Sequence, residues 1–369
     1  MRARAWLALL FAALVGSCGS SSQDETAAQP QPSGCKPGGD GAYRDELYPK
    51  LSDYCVVRLD DGRIVPEDGV LPYEVNAPLF SDYAEKQRTV WVPPGATVAY
   101  TPDGRLDLPE GTIITKSFGF AADLRAPGQG VRWVETRVMA RGKNGWLASS
   151  YLWDDDHRDA TRKLAGKVVD VGWIDAAGGT VQTSYLVPQS TQCIKCHADL
   201  DEVVTIGLSA RQLNRDFAYP DGAENQLARW SRAGWLTGAP APTAAPKLAD
   251  WTDTTLGTEP RARAYFESNC AHCHSERGDA RTTGLSLLAT ETDRYRLGIC
   301  KPPVAAGQAS GNLSFDVVPG KPDESIVIRR MMATTPPIAM PELGRSVVHT
   351  EGVALTRAWI EAQSGDCAQ

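Results

Sequence analysis

The chemistry in this sequence is concentrated in two short segments, Cys193-Ile194-Lys195-Cys196-His197 and Cys270-Ala271-His272-Cys273-His274. Each is C-x-x-C-H, the pattern by which a c-type haem is attached. Two thiols three residues apart, on one turn of backbone, reach the two vinyl groups along one edge of a porphyrin. The next residue then lies beneath the iron, so the imidazoles of His197 and His274 become proximal ligands. A C-x-x-C…C-x-x-C zinc site would need all four thiolates to converge across the stretch between Cys196 and Cys270, and would give neither histidine a role. A thioredoxin-like redox pair leaves both histidines equally idle. With five histidines in 369 residues, two placed directly after a second cysteine are not chance. The spacing therefore implies two c-type haems (iron), held covalently through Cys193, Cys196, Cys270 and Cys273.

What sits opposite each histidine decides how such a centre behaves. For His274 the candidate is Met340, in the stiff run Pro336-Pro337-Ile338-Ala339-Met340-Pro341 shortly before the final helix. A thioether there stabilises ferrous iron and raises the potential. Met331 and Met332 are rival donors within an expected helix, Glu324–Ala333. For His197 the choice stays open, because no methionine or histidine occurs between Ala198 and Asn269. Met139, His157, His272, His349, or a lysine or tyrosine, are the candidates. An open position is what a peroxidase or other haem enzyme requires; a filled one suits plain electron transfer.

The remaining cysteines are Cys18, Cys35, Cys55, Cys300 and Cys367. Residues 1–18 read as an export signal: Arg2 and Arg4, an apolar run from Ala5 to Gly16, then Val15-Gly16-Ser17-Cys18. That ending resembles the lipobox of bacterial lipoproteins, in which the cysteine is acylated. The mature chain is then expected to be membrane-tethered through Cys18 and otherwise soluble, with Gly19 pointing to the outer membrane. Residues 19–34, rich in Ser, Gln, Ala and Pro, read as a flexible tether. In an oxidising compartment the other four cysteines suggest disulfides. Local pairing, Cys35–Cys55 and Cys300–Cys367, is the economical one of three possible connectivities.

The elements that would position these groups change texture along the chain. Between residues 86 and 192, runs rich in Val, Ile, Thr, Trp and Tyr are punctuated by turns. Strands are expected at Arg88–Val92, Thr97–Thr101, Thr112–Phe120, Val131–Ala140, Trp146–Trp153, Val168–Ile174 and Val181–Val187. Gly142–Gly145 and Asp175–Gly179 read as hairpin loops. In Val131–Ala140, Val134, Val138 and Ala140 alternate with Trp133, Glu135 and Arg137, which gives a two-faced strand. Helical spacing appears at Ser209–Asp216 and Glu224–Gly234, with Leu227, Trp230 and Ala233 on one stripe. Further helices are expected at Pro260–Ser268 and Thr350–Gln363, with Leu355 and Trp359 packing on Tyr265 and Phe266. The expected fold class is α+β multidomain: an antiparallel β domain (35–188), a small α-helical haem module (189–236), a Pro/Ala/Thr-rich linker (237–258) and a second α-helical cytochrome c-type haem module (259–369).

Composition narrows the function. The chain is 42% hydrophobic and carries 38 basic against 45 acidic residues, a net charge of -7. Its pI near 5.4 argues against nucleic-acid binding. The longest apolar run, residues 5–16, is too short for a spanning helix, which excludes a multi-span membrane protein.

The chain resembles the exported, often lipid-anchored dihaem c-type cytochromes of Gram-negative bacteria. The resemblance covers nearly the whole mature chain and rests on the strings Leu71–Ala84, Glu135–Arg137, Gln192–His197, Asn225–Leu227, Asn269–His274, Gly298–Gly307 and Met340–Ser346. The sequence departs from that group at His157 and Met139. The resemblance implies redox partner proteins, among them a parallel β-helix domain protein, and a location in the cell envelope. It supplies no substrate. The expected activity is single-electron transfer between periplasmic or cell-envelope partners. The alternative is a haem enzyme, a peroxidase or a subunit of a periplasmic dehydrogenase, with an open site at His197.

Overall fold

The computed structural model describes residues 35–102, 104–304 and 306–367. The export signal, the tether and Cys18 lie outside them. In chain order the first strands are β1 (Val57–Asp60), β2 (Arg63–Pro66), β3 (Leu71–Pro72), β4 (Glu85–Trp91) and β5 (Val98–Ala99). They are followed by β6 (Ile113–Phe120), β7 (Arg132–Gly142), β8 (Gly145–Trp153), β9 (Ala160–Lys163), β10 (Lys167–Ile174) and β11 (Thr180–Val187). Short pairs complete the set: β12 (Ala198–Asp199), β13 (Glu202–Val203), β14 (Asp216–Tyr219), β15 (Gly222–Asn225) and β16 (Leu236–Thr237). The helices are α1 (Ser190–His197), α2 (Ala210–Leu213), α3 (Gln226–Arg232), α4 (Thr258–Phe266), α5 (Ile326–Met332) and α6 (Thr350–Glu361).

Six strands form one antiparallel sheet in the order β3-β4-β6-β7-β8-β9. Strand register sorts its side chains to two faces, as a period of two requires. One face carries Trp91, Ile113, Val138, Ala140, Tyr151 and Trp153, which pack under an N-terminal layer of Tyr43, Leu51, Tyr54 and Val56. The other carries Val90, Ile114 and Met139, covered by Leu208, Leu213, Leu227 and Trp230. The Val131–Ala140 alternation holds only in part. Phe118 pairs with Glu135 and Gly119 with Trp133, so Val134 is an extra residue opposite one register step. Such a bulge reverses the side-chain parity. Trp133 therefore joins Val138 and Ala140, while Val134 packs with Phe118 and Tyr185.

The expectation of an α+β chain ending in two small α-helical haem modules is overturned. Among the described residues the architecture is mostly β, with six short α-helices, the longest of twelve residues. Residues 189–236 do not close on themselves. After α1 the chain forms two hairpins, β12–β13 and β14–β15, and β16 adds in parallel to β5. The apolar stripe of α3, Leu227 and Trp230, is spent on the core of the large sheet, so no separate helical core exists there. Ala233, expected on the same stripe, is exposed. In the last third, α4, α5 and α6 enclose one core in which Phe266 meets Trp359 edge-on at 5.0 Å, with Tyr265 and Leu355 beside them. Most of the remaining chain there is turn and loop. The disulfides are Cys35–Cys55 and Cys300–Cys367, the local pairing.

A strap spanning residues 71–84 ties these parts together, and its backbone is paired by buried amide side chains. Gln226 Oε1 accepts from Glu74 N (2.7 Å) while its Nε2 donates to Glu74 O (2.9 Å). Gln212 does the same for Ala77, accepting from its N at 2.9 Å and donating to its O at 3.3 Å. Each glutamine thus stands in for a neighbouring strand, satisfying backbone groups that burial would otherwise orphan.

Candidate functional site

Both C-x-x-C-H segments are held by local hydrogen bonding. Helix α1 opens with a reciprocal cap between Gln189 and Gln192 and ends on His197. The hairpin β12–β13 then returns the chain, so that Val204 N donates to His197 O at 2.8 Å. His197 Nδ1 donates to Val204 O at 2.7 Å. In the second segment α4 passes into a single wide turn, Glu267–Ala271, and Cys273 N and His274 N both donate to Cys270 O. A wide turn of this kind within a helix is frequent at functional sites. His274 Nδ1 lies 3.3 Å from Thr283 Oγ1, whose own proton goes to Ala280 O at 2.7 Å. In each ring, therefore, Nδ1 is occupied and Nε2 is left for a ligand. This outer hydrogen bond is how proteins set the tautomer of a metal-binding histidine. Burial pushes both imidazoles down to about 4, which favours the neutral form that binds metal.

The two segments, far apart in sequence, meet. The donor atoms of Cys196, His272 and Cys273 lie within 4.8 Å of one another. The Cys273 thiol beside it draws the Cys196 thiol below the usual thiol range, and Cys273 is itself pushed up. All four motif cysteines are free, whereas Cys35, Cys55, Cys300 and Cys367 are paired. One cavity of about 980 Å³ opens between the sheet and the C-terminal third. That is the upper end of the range for small-molecule sites. His197, His274, Cys196, Cys270 and Cys273 all line it.

Of the candidate sixth ligands, Met139, His272, Met331, Met340 and His349 line the cavity, and His157 and Met332 do not. Met340 lines the cavity, and its loop is pinned by Arg345, whose Nη2 donates to the carbonyls of Ala333 (2.7 Å), Met340 (2.9 Å) and Arg330 (3.2 Å). Asp82 of the strap accepts from Ser346 N and Val347 N at the same loop. Met331 also lines the cavity, while Met332 is exposed. Met139 lies on the cavity face of β7 and is buried. His157 is not among the lining residues: it sits in the β8–β9 turn with Nε2 donating to Trp133 O at 3.2 Å. His349 does line the cavity, but it is stacked on Phe80 at 4.0 Å and bonded to Tyr265 Oη at 3.1 Å. His272 lines it with a buried Nδ1 that has no partner.

Two parts of the site carry no assigned role in the sequence reading, although Leu71–Ala84 and Glu135–Arg137 are among the strings behind the resemblance. Arg88, Lys116 and Arg137 stand abreast on adjacent strands, Arg88 opposite Lys116 and Lys116 opposite Arg137, on the face lining the cavity. Like charges so placed repel. Glu74 at 3.1 Å answers Arg88 and the buried Glu135 at 2.6 Å answers Arg137. Burial, together with Arg88, Lys86 and Arg137, holds Lys116 well below the usual lysine range. The second part is the strap, whose Phe80 N donates to Asn269 Oδ1 at 2.8 Å, one residue before Cys270. The only signal for the row was a basic residue in each of three expected strands.

No protein-family model matches the chain, and neither a curated protein nor a solved structure matches it.

Proposed function

We propose that this protein is a dihaem c-type cytochrome that passes single electrons between partners in the cell envelope, anchored by a lipid at Cys18. The observation that carries the reading is the shared cavity: Cys196, Cys270 and Cys273 line it with free thiols beside His197 and His274, each of which presents Nε2 with Nδ1 already bonded, while Cys193, also free, lies outside the lining on helix α1. Cys193 and Cys196 would attach one haem and Cys270 and Cys273 the other, with His197 and His274 as iron ligands. When bound, the two irons supply one-electron redox chemistry whose potential follows ligand identity and burial. The chain's own part is to orient those ligands and to exclude water, which the apolar walls from Ile114, Leu285, Leu287 and Val317 do. Met340 would be the second ligand on the His274 side, and Met139, which lines the same cavity, is one of the candidates for the His197 side. The excess of acidic residues favours a basic docking patch on the redox partner, for which the sequence resemblance suggests a parallel β-helix domain protein. Among the described residues no helix is long and apolar enough to cross a membrane.

A second reading, a haem enzyme with an open position at His197, draws on the row of Arg88, Lys116 and Arg137. A cationic wall beside a metal site would suit an anionic reactant. Optical and EPR spectra of the oxidised protein separate the two. Two low-spin centres, unmoved by cyanide or peroxide, are expected. A high-spin signal that shifts with either ligand would replace the carrier with the enzyme.

A further inference from the structure

The meeting of the two motifs is closer than a two-centre electron carrier requires. Cys196 and Cys273 are each the second cysteine of their segment, and their sulfurs lie, with one His272 ring nitrogen, within 4.8 Å of one another. Cys273 Sγ also reaches Lys195 O at 3.7 Å. The approach is fixed from both sides. Leu200 N donates to Arg277 O at 2.8 Å, and the buried Asp199 carboxylate receives both Arg277 and Arg105. Residues 195–200 and 272–277 are thereby clamped along a common seam. His272, which is not the expected proximal residue of its motif, stands in that seam with a buried Nδ1 that has no partner.

We propose that Cys196, His272 and Cys273 form the seam across which the two haems meet edge to edge, making them one coupled pair. This rests on the dihaem reading above. The argument is covalent. A thioether sulfur is bonded to the carbon next to the porphyrin ring, so a ring edge cannot lie more than a few bonds from its cysteine. Two sulfurs held in one small cluster would therefore bring the haem edges they carry close together. The chemistry such a pair would supply is a one-electron exchange within the chain, one iron oxidised from ferrous to ferric as the other is reduced from ferric to ferrous, with no bond made or broken and no proton required.

The test is circular dichroism in the Soret region on the full-length protein, matured with its haems and counted by pyridine haemochrome. Two rings in contact share their strong transition, so both the fully oxidised and the fully reduced protein should show a couplet, one positive and one negative lobe crossing at the absorption maximum. In a half-reduced sample the two bands differ in energy and the couplet should collapse. A Cys193→Ala/Cys196→Ala chain carrying one haem should show a single-signed band, and the redox titration of the wild type serves the same purpose should that variant not fold. Two haems per chain with a single-signed band at every stage would overturn the seam and leave the dihaem reading standing. Fewer than two haems, or stoichiometric zinc in their place, would overturn both.

Discussion

Gln212 is the most exposed point of the reasoning about how the site is held together, although it is itself 4% solvent-accessible. Its amide pairs both backbone groups of Ala77 and donates to Ser268 Oγ at 3.1 Å, two residues before Cys270. Replacing it with leucine keeps the volume and deletes all three hydrogen bonds. Ala77 and Ser268 are both buried, so water cannot substitute. An unsatisfied buried polar group costs about 1–3 kcal/mol. The carbonyl keeps a second lone pair and the hydroxyl can rotate, so the lower end applies, and three groups give about 3 kcal/mol. Urea titration followed by tryptophan fluorescence should place Gln212→Leu lower by this amount, a displacement of about 1 M for a slope of about 3 kcal/mol/M. Hydrogen exchange should rise in 268–274 as well as in the strap, because the amide joins them. A loss under about 0.5 kcal/mol, the range of an ordinary surface change, would refute the claim that this side chain docks the strap.

Met340→Ala should abolish the weak red-end band of thioether-ligated ferric haem and lower the potential of one centre, checked by absorbance and redox titration; an unchanged band would move the ligand to Met331. Cys300→Ser opens a loop closed over a separation of 67 residues and should cost about 4 kcal/mol in chemical denaturation. Lys86 is depressed from 10.5 to about 7, by burial first and then by Arg88 and Arg137. A depressed folded value means that the unfolded chain binds the extra proton between about 7 and 10.5, so stability should rise with pH across that window and be lost as pH falls through about 7. Lys86→Met should flatten this slope in melts across the window.

Most strands and the Cys35–Cys55 pair were legible because each depends on residues close in sequence, whereas Cys300–Cys367, across a separation of 67, rested only on preferring local pairing among three connectivities. The strand at Thr112–Phe120 appears as Ile113–Phe120 and that at Trp146–Trp153 as Gly145–Trp153. Both expected hairpin loops fall between paired strands, β7–β8 and β10–β11. The helical modules were misread because the spacing of Leu227 and Trp230 identifies an apolar stripe but not the core it serves. That core belongs to Val90, Ile114 and Met139 of the sheet. The bulge at Val134 was equally hidden, since one extra residue alters no composition yet reverses a strand's faces. The cationic row escaped for a related reason. A basic residue in a strand ordinarily marks the solvent face, and only the register of three strands reveals Arg88, Lys116 and Arg137 as neighbours lining a cavity.

The central claim is covalent attachment, and intact mass of the denatured protein, expressed with the haem maturation machinery and paired with a pyridine haemochrome spectrum, tests it most directly. The account predicts a polypeptide heavier by two haems, dropping by one haem in Cys270→Ala/Cys273→Ala and by the other in Cys193→Ala/Cys196→Ala. A polypeptide at its bare mass with four alkylatable thiols and no pigment would contradict it.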